Sequence, residues 1–431
     1  MREYIALLKN NRNYRYLWFG QVISLLGDWF NLIASAQLIT EFSNSGIAIS
    51  VLFLARFLPL FLFTPFAGVL ADRYNRRTIM IVSDLLRAAT VLSFLLVRVT
   101  HQIWLLYLLT VIQFTLSALF TPARSAILVN VVHERDLIAA NALDSFTWST
   151  MLALGSLLGG LVAALFGADV AFILDALTFL LSAWVISRVV LPAKAKTAVS
   201  HTGWFDFVDG FRYLWYAPFV LAISLVKAAG ALLWGGINVL ELTFAKTIFP
   251  LNDLAWGVGR TIDGMTATLG LIYIISGIGT GLGPLLMRRW LGDRPVRIFF
   301  GITLGVVMTT VGIWYMGVAG TLFLFLLATF IRTIGTGTMW VFSSAMLQLL
   351  LPERYRGRVF AFELAALTLT QSVSILMAGV AQDRFDLSVQ EIARYTGFFG
   401  MGMSIVWVIF NVRAHGYVKR TVPSPEGAEL N

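Results

Sequence analysis

Apolar runs of about twenty residues or more, the length that crosses a bilayer as a helix, recur along this chain. They fall at 14–40, 46–71, 78–97, 102–130, 139–165, 169–190, 217–246, 264–287, 296–316, 320–350, 357–382 and 393–413. Turn-forming groups separate them, among them Asn44-Ser45-Gly46, Tyr74-Asn75-Arg76, Gly167-Ala168-Asp169, Gly292 to Pro295 and Pro352-Glu353. The pattern predicts an all-α membrane protein of twelve transmembrane helices.

Polar residues inside the runs are costly, so their spacing is informative. In the first run they are Gln21, Ser24, Asp28, Asn31 and Ser35, at steps of 3 and 4 that share one helix face. The fourth run has Thr110, Gln113, Ser117, Thr121 and Arg124. The seventh has Ser224, Lys227, Trp234, Asn238 and Glu241 on one face, and the tenth has Thr329, Arg332, Thr336 and Ser343. Helices one, four, seven and ten are the first and fourth of each half, so the stripes repeat. Four wet faces are what a central cavity between two bundles requires. Single Ser or Thr residues can instead bond between packed helices, but each of these stripes also carries an ionisable side chain.

Composition sharpens this picture. Hydrophobic residues make up 58% of the chain and charged residues 13%, a balance that excludes a soluble domain, disorder and a coiled coil. Cysteine is absent and the four histidines are scattered, so no disulfide framework, metal site, cofactor or thiol nucleophile is expected. The net charge of +9 would suggest nucleic acid in a soluble protein. With the N-terminus inside, however, the inner segments hold 22 of the 32 Lys and Arg and the outer loops hold 5. That bias predicts both termini in the cytoplasm and accounts for the charge without nucleic acid. No cleavable leader is expected.

The longest inner connection divides the runs into six and six. The expected organisation is an N-terminal six-helix bundle over 1–190, a linker over 191–216, a C-terminal bundle over 217–414 and a disordered polar tail over 415–431. The end of the linker alternates Trp204, Phe205, Phe207, Phe211 and Trp215 with Asp206, Asp209 and Arg212. It reads as a short helix on the inner membrane surface, or as an extra turn of the seventh span.

Asp28 and Arg56 are the sharpest pair. Folding the first two spans about residue 42 brings them to one depth, about 18 Å below the outer end at 1.5 Å per residue. They read either as a static ion pair or as a proton or substrate site. Lys227 and Arg332 lie deep in their spans with no evident carboxylate at their depth. Asp72, Asp84, Arg87, Arg124, Asp144 and Glu363 lie nearer the inner ends and read as an ion-pair latch.

Gly68-Val-Leu-Ala-Asp72-Arg73-Tyr-Asn-Arg76-Arg77, with the twelve spans and the six-plus-six split, resembles the major facilitator superfamily, a family of repeat-built transporters. Asn75 stands where that loop usually has Gly. The resemblance implies two six-helix bundles around a central cavity. It also implies a loop in which Gly68 allows close packing, Asp72 caps a gate contact, and Arg73, Arg76 and Arg77 hold the inner side shut. Leu26-Gly-Asp-Trp29, Ser83 to Arg87, Thr121-Pro-Ala-Arg124, Ala140 to Leu143 and Arg356 to Phe360 are similar to the branch containing macrolide-efflux proteins and the enterobactin exporter. Gly155-Ser156 to Gly160 resembles the antiporter motif, with Ser156 where Pro is common. The implied function is alternating-access, proton-coupled export of an amphipathic small molecule by a monomer in the plasma membrane. A lipid or lysophospholipid transporter of the same fold is one alternative. A membrane enzyme or receptor is another, though no catalytic His–carboxylate set is present and no Gly-x-x-x-x-Gly-Lys-Ser/Thr marks an ATP-driven pump.

Overall fold

The computed structural model describes residues 2–43, 45–100, 102–133, 136–191, 211–255, 261–262, 264–292 and 294–421. The first part of the chain forms α1 (Arg2–Asn10), α2 (Arg12–Phe42), α3 (Gly46–Arg73), α4 (Arg76–Ser93), α5 (Leu95–Thr100), α6 (Ile103–Val131), α7 (Leu137–Phe166) and α8 (Ala168–Ile186). A short helix, α9, covers 211–216. Then come α10 (Pro218–Thr243), a π-helical turn (Phe244–Ile248), α11 (Gly264–Leu291), α12 (Pro295–Met316), α13 (Leu322–Leu350), α14 (Glu353–Arg384) and α15 (Val389–Thr421). Among the described residues, twelve helices are long and apolar enough to cross a membrane, one for each predicted run.

The ends of these helices follow from local chemistry. Asn11, Ser45 and Thr321 accept the backbone N–H three residues on, satisfying first-turn donors. Pro218 and Pro295 open α10 and α12, where the missing N–H costs nothing. Asn75 caps α4 by accepting from the N–H groups of Arg77 and Thr78. That contact gives the departure from Gly at this position a structural use. Gly167, at φ 83°, takes the chain from α7 directly into α8.

By packing, the chain falls into two units. The first contains 1–204 and 250–274; the second contains 205–249 and 275–431. The second half of the sequence therefore lends a segment to the first unit. That segment holds a two-residue antiparallel ladder, Leu254 with Ile262 and Ala255 with Thr261, and the first turns of α11. Tyr273 from it meets Trp29 edge-on at 5.4 Å between ring centroids.

Each unit repeats one packing scheme. In the first, α2 packs on α6, α7 and α8, and α4 packs on α6 and α8. In the second, α10 packs on α13, α14 and α15, and α12 packs on α13 and α15. The α3–α6 contact is matched where Gly279 and Gly283 of α11 lie against Thr333 and Ile334 of α13. One apolar core, in the first unit, gathers Tyr14, Leu17, Met80, Ile127 and Ile186; another, in the second, gathers Phe219, Phe299, Phe342 and Met346.

Two expectations need correcting or bounding. The tail was expected to be irregular from 415, but α15 runs to Thr421, because nothing breaks the helix before Val422-Pro423. The surface helix of the linker falls largely on 204–210, outside the described residues. Its last part, α9, is separated from α10 by a break at Ala217, and there Leu214 is buried and Tyr213 stacks on Tyr355.

Candidate functional site

The first unit holds a buried charge cluster drawn from four helices. On α2, Ser24, Asn31 and Ser35 are buried, while Gln21 and Asp28 are half-buried. Arg56 of α3 reaches the level of Asp28, as the depth argument requires, but its Nη2 donates to the backbone oxygen of Asp28 at 3.4 Å rather than to the carboxylate. The guanidinium lies over the Phe114 ring of α6, 4.4 Å from its centroid. That cation–π contact turns it away from the expected side-chain pair. Among the described residues, Asp28 Oδ1 is buried with no hydrogen-bond partner.

Asp84 and Arg87 of α4 form an ion pair at i,i+3. Ser182 of α8 donates to Asp84 at 2.7 Å, and Arg87 donates to Ser117 of α6 at 3.3 Å. The Arg87 guanidinium lies between the rings of Phe120 and Phe179, at 4.6 and 4.3 Å. The sequence grouped this pair with an inner latch. Arg87 also acts electrostatically on Asp28 and Asp175, which links the pair to this cluster. Arg124 pairs with both oxygens of Asp144 at 2.8 Å, and Glu363 belongs to the second unit. Arg76 donates to the Ala126 oxygen at 3.3 Å and Arg77 to the Ser187 oxygen, so both bind carbonyls near helix C-termini. The surroundings of Gly68 and the side chains of Asp72 and Arg73 lie outside what the structure describes.

Sequence reasoning missed Asp175. This residue of α8 is fully buried and interacts electrostatically with Asp28, Arg87 and Arg56. Its carboxylate lies against α2 at Gly27, where an added Cβ would fall 2.3 Å from Asp175 Oδ1. Asp175 Oδ2 has no hydrogen-bond partner among the described residues. The available signal was a short stripe, Asp175, Thr178 and Ser182, at steps of 3 and 4 in an otherwise apolar run. Gln113 of α6 is also fully buried, with neither end of its amide bonded within the described residues.

In the second unit, Lys227 and Arg332 do have carboxylate partners, contrary to the expectation. Lys227 of α10 stands 3.1 Å from Glu363 of α14, donates to Ser344 at 2.6 Å and sits over the Trp340 ring. Arg332 of α13 pairs with Glu241 of α10, both buried. Depth along the helix would have suggested the first pair, since Lys227 and Glu363 each lie about three turns from the start of their helix. It would not have suggested the second, because Glu241 lies close to the end of α10 while Arg332 lies about three turns into α13. Thr336 is held by Thr309 at 3.2 Å and by the Arg332 oxygen at 2.9 Å. Asn238 is half-buried.

The two units thus differ in charge balance. The first unit's cluster has three carboxylates (Asp28, Asp84, Asp175) and two guanidiniums (Arg56, Arg87). The second unit's two pairs balance. Buried charge of either kind in a membrane-spanning helix marks function more often than architecture.

A family model described as Major Facilitator Superfamily matches residues 17–375. The uncharacterised MFS-type transporter YfiS of Bacillus subtilis (strain 168) is 29% identical over 393 residues, covering 89% of this chain and 90% of that protein. The putative bacilysin exporter BacE of Bacillus amyloliquefaciens is 26% identical, covering 68% of this chain and 71% of that protein. Macrolide efflux protein A of Streptococcus pyogenes is 23% identical, covering 86% and 90%. Among solved structures, the POT family transporter PepTSo shares the fold with a TM-score of 0.71 at 13% identity, over 94% of this chain and 99% of that one. This chain, a multi-pass membrane protein, belongs to the major facilitator superfamily of transporters.

Proposed function

We propose that the protein is a proton-coupled exporter of amphipathic small molecules, working by alternating access in the plasma membrane with both termini in the cytoplasm. The observation that carries this reading is the buried carboxylate of Asp28. It stands on a polar stripe beside Arg56, with one oxygen lacking a partner among the described residues. A carboxyl in that setting has two states of similar shape and different charge, and its neighbours differ in which they favour. Movement of the surrounding helices changes those neighbours, so proton binding and conformation become linked. The efflux and exporter names of two relatives support export, and the 22-to-5 distribution of Lys and Arg supports the orientation. Rings next to the polar stripes, Trp29 with Tyr273 and Trp234 with Trp340, offer apolar and cation-binding faces to an amphipathic solute.

The test is transport by purified protein in liposomes under an imposed pH gradient, with ethidium and a macrolide antibiotic as probes. Parent protein is expected to move at least one probe against its gradient. Asp28→Asn keeps the size and removes the titrating group, so it should abolish gradient-driven accumulation while leaving probe binding measurable. Arg56→Gln should alter the pH dependence without reproducing the Asn variant. Transport by Asp28→Asn at the parental rate would make Asp28 a structural residue. Transport by the parent that ignores the pH gradient would defeat proton coupling altogether.

A further inference from the structure

Three acids and two bases share the interior of the first unit, and the excess negative charge has a specific address. Asp84 is engaged on both oxygens, by Arg87 and by Ser182. Asp28 and Asp175 each keep one buried oxygen without a partner among the described residues. The two stand on adjoining helices: Asp175 lies against α2 at Gly27, next in sequence to Asp28, and the two carboxylates act on each other electrostatically. Around them, α3 contributes Arg56, α4 contributes Asp84 and Arg87, α6 contributes the neutral Ser117, and the segment at 250–274 contributes Tyr273. The guanidiniums do not satisfy the orphan oxygens: Arg56 is turned to a backbone carbonyl and the Phe114 ring, and Arg87 is committed to Asp84 and Ser117.

We infer that Asp28 and Asp175 form a coupled carboxyl pair that together carries a single proton, with Asp175 a proton-binding residue in its own right. Two like charges that act on each other in a membrane interior repel, and one proton removes the excess over the two guanidiniums. It also converts one orphan acceptor into a donor. Gly27 is the condition for the pair, since any side chain there would occupy the space of the Asp175 carboxylate and the Thr178 hydroxyl. This inference rests on the proton-coupled reading and adds to it the second acid and the stoichiometry.

The experiment is infrared difference spectroscopy of purified full-length protein in nanodiscs, reading the C=O stretch of protonated carboxyl groups as pH is stepped, with proton uptake counted in parallel. The parent is expected to show a titrating buried-carboxyl band accounting for one proton. Asp28→Asn and Asp175→Asn should each remove it, because two acids then face two bases. Arg56→Gln should raise the count to two. Asp175→Glu, the variant to use if Asp175→Asn does not fold, should keep a band at a shifted frequency. A band unchanged in frequency and amplitude in either Asp175 variant overturns the pair, and leaves coupling by Asp28 alone intact. Replacement of the band by bound sodium at fixed pH also overturns it. Absence of pH-gradient dependence in parental transport would defeat the coupled reading, while the spectrum would still decide whether both acids determine the proton's binding.

Discussion

Buried ionised side chains set the behaviour of this protein at single positions. Glu241 and Arg332 pair across α10 and α13 with almost no exposure to solvent or lipid. Removing one partner from a buried pair strands the other charge, at a cost of about 3–5 kcal/mol. Glu241→Gln is therefore expected to lower the melting temperature of the purified protein sharply. Pairing Glu241→Gln with Arg332→Gln should recover most of the loss, because no charge is then left alone. A single variant that melts with the parent would show that water or lipid headgroups reach the pair. Arg124 and Asp144, which are partly exposed, should respond much more weakly to the same treatment. Of these residues, the sequence displayed the ionisable types and their face but not their partners. Asp175 went unnoticed because a single acid in an apolar run gains meaning only from what the fold brings against it.

Helix crossings within each unit depend on small residues that let backbones approach. Gly305 of α12 and Gly335 of α13 face each other. A Cβ at Gly305 would lie 2.8 Å from the Gly335 oxygen, and one at Gly335 would lie 2.6 Å from the Gly305 oxygen. Apolar surface gives little drive between helices in lipid, so close packing has to hold the contact. Gly335→Leu should overfill the crossing and destabilise the second unit by about 1–3 kcal/mol, with Gly335→Ala milder. Melting of the two variants in nanodiscs checks this, and equal melting of parent and Leu variant would show that α13 can slide. The crossing was not legible in the sequence, where 36 glycines offer many equivalent candidates. The helix ends were legible, since capping by Asn11, Ser45 and Thr321 is local chemistry.

The whole molecule is placed in the membrane by its charges. A chain without cysteine allows a clean topological measurement. Single cysteines at Asp253 and Asp386 should react with an impermeant thiol reagent applied outside the cell. Cysteines at Asn75 and Arg289 should react only after permeabilisation. Reaction of the second pair from outside would reverse the proposed orientation. The same rule that predicts orientation also removes the need for an acidic partner to explain the charge of +9.

The amino-acid sequence by itself determined the number of spans, their boundaries to within a few residues, the repeat of six and six, the striped faces and the common depth of Asp28 and Arg56. These follow from bilayer thickness, helical period and turn chemistry, all of which act along the chain. Tertiary structure decided which groups meet: Arg56 with a carbonyl and a ring, Asp84 with Arg87 and Ser182, Lys227 with Glu363, Arg332 with Glu241, and Asp175 with α2 at Gly27. It also decided that residues 250–274 pack with the first unit. Those outcomes depend on the rotation of each helix about its own axis and on its packing neighbours. Period and composition leave both free; close packing of particular side chains fixes them.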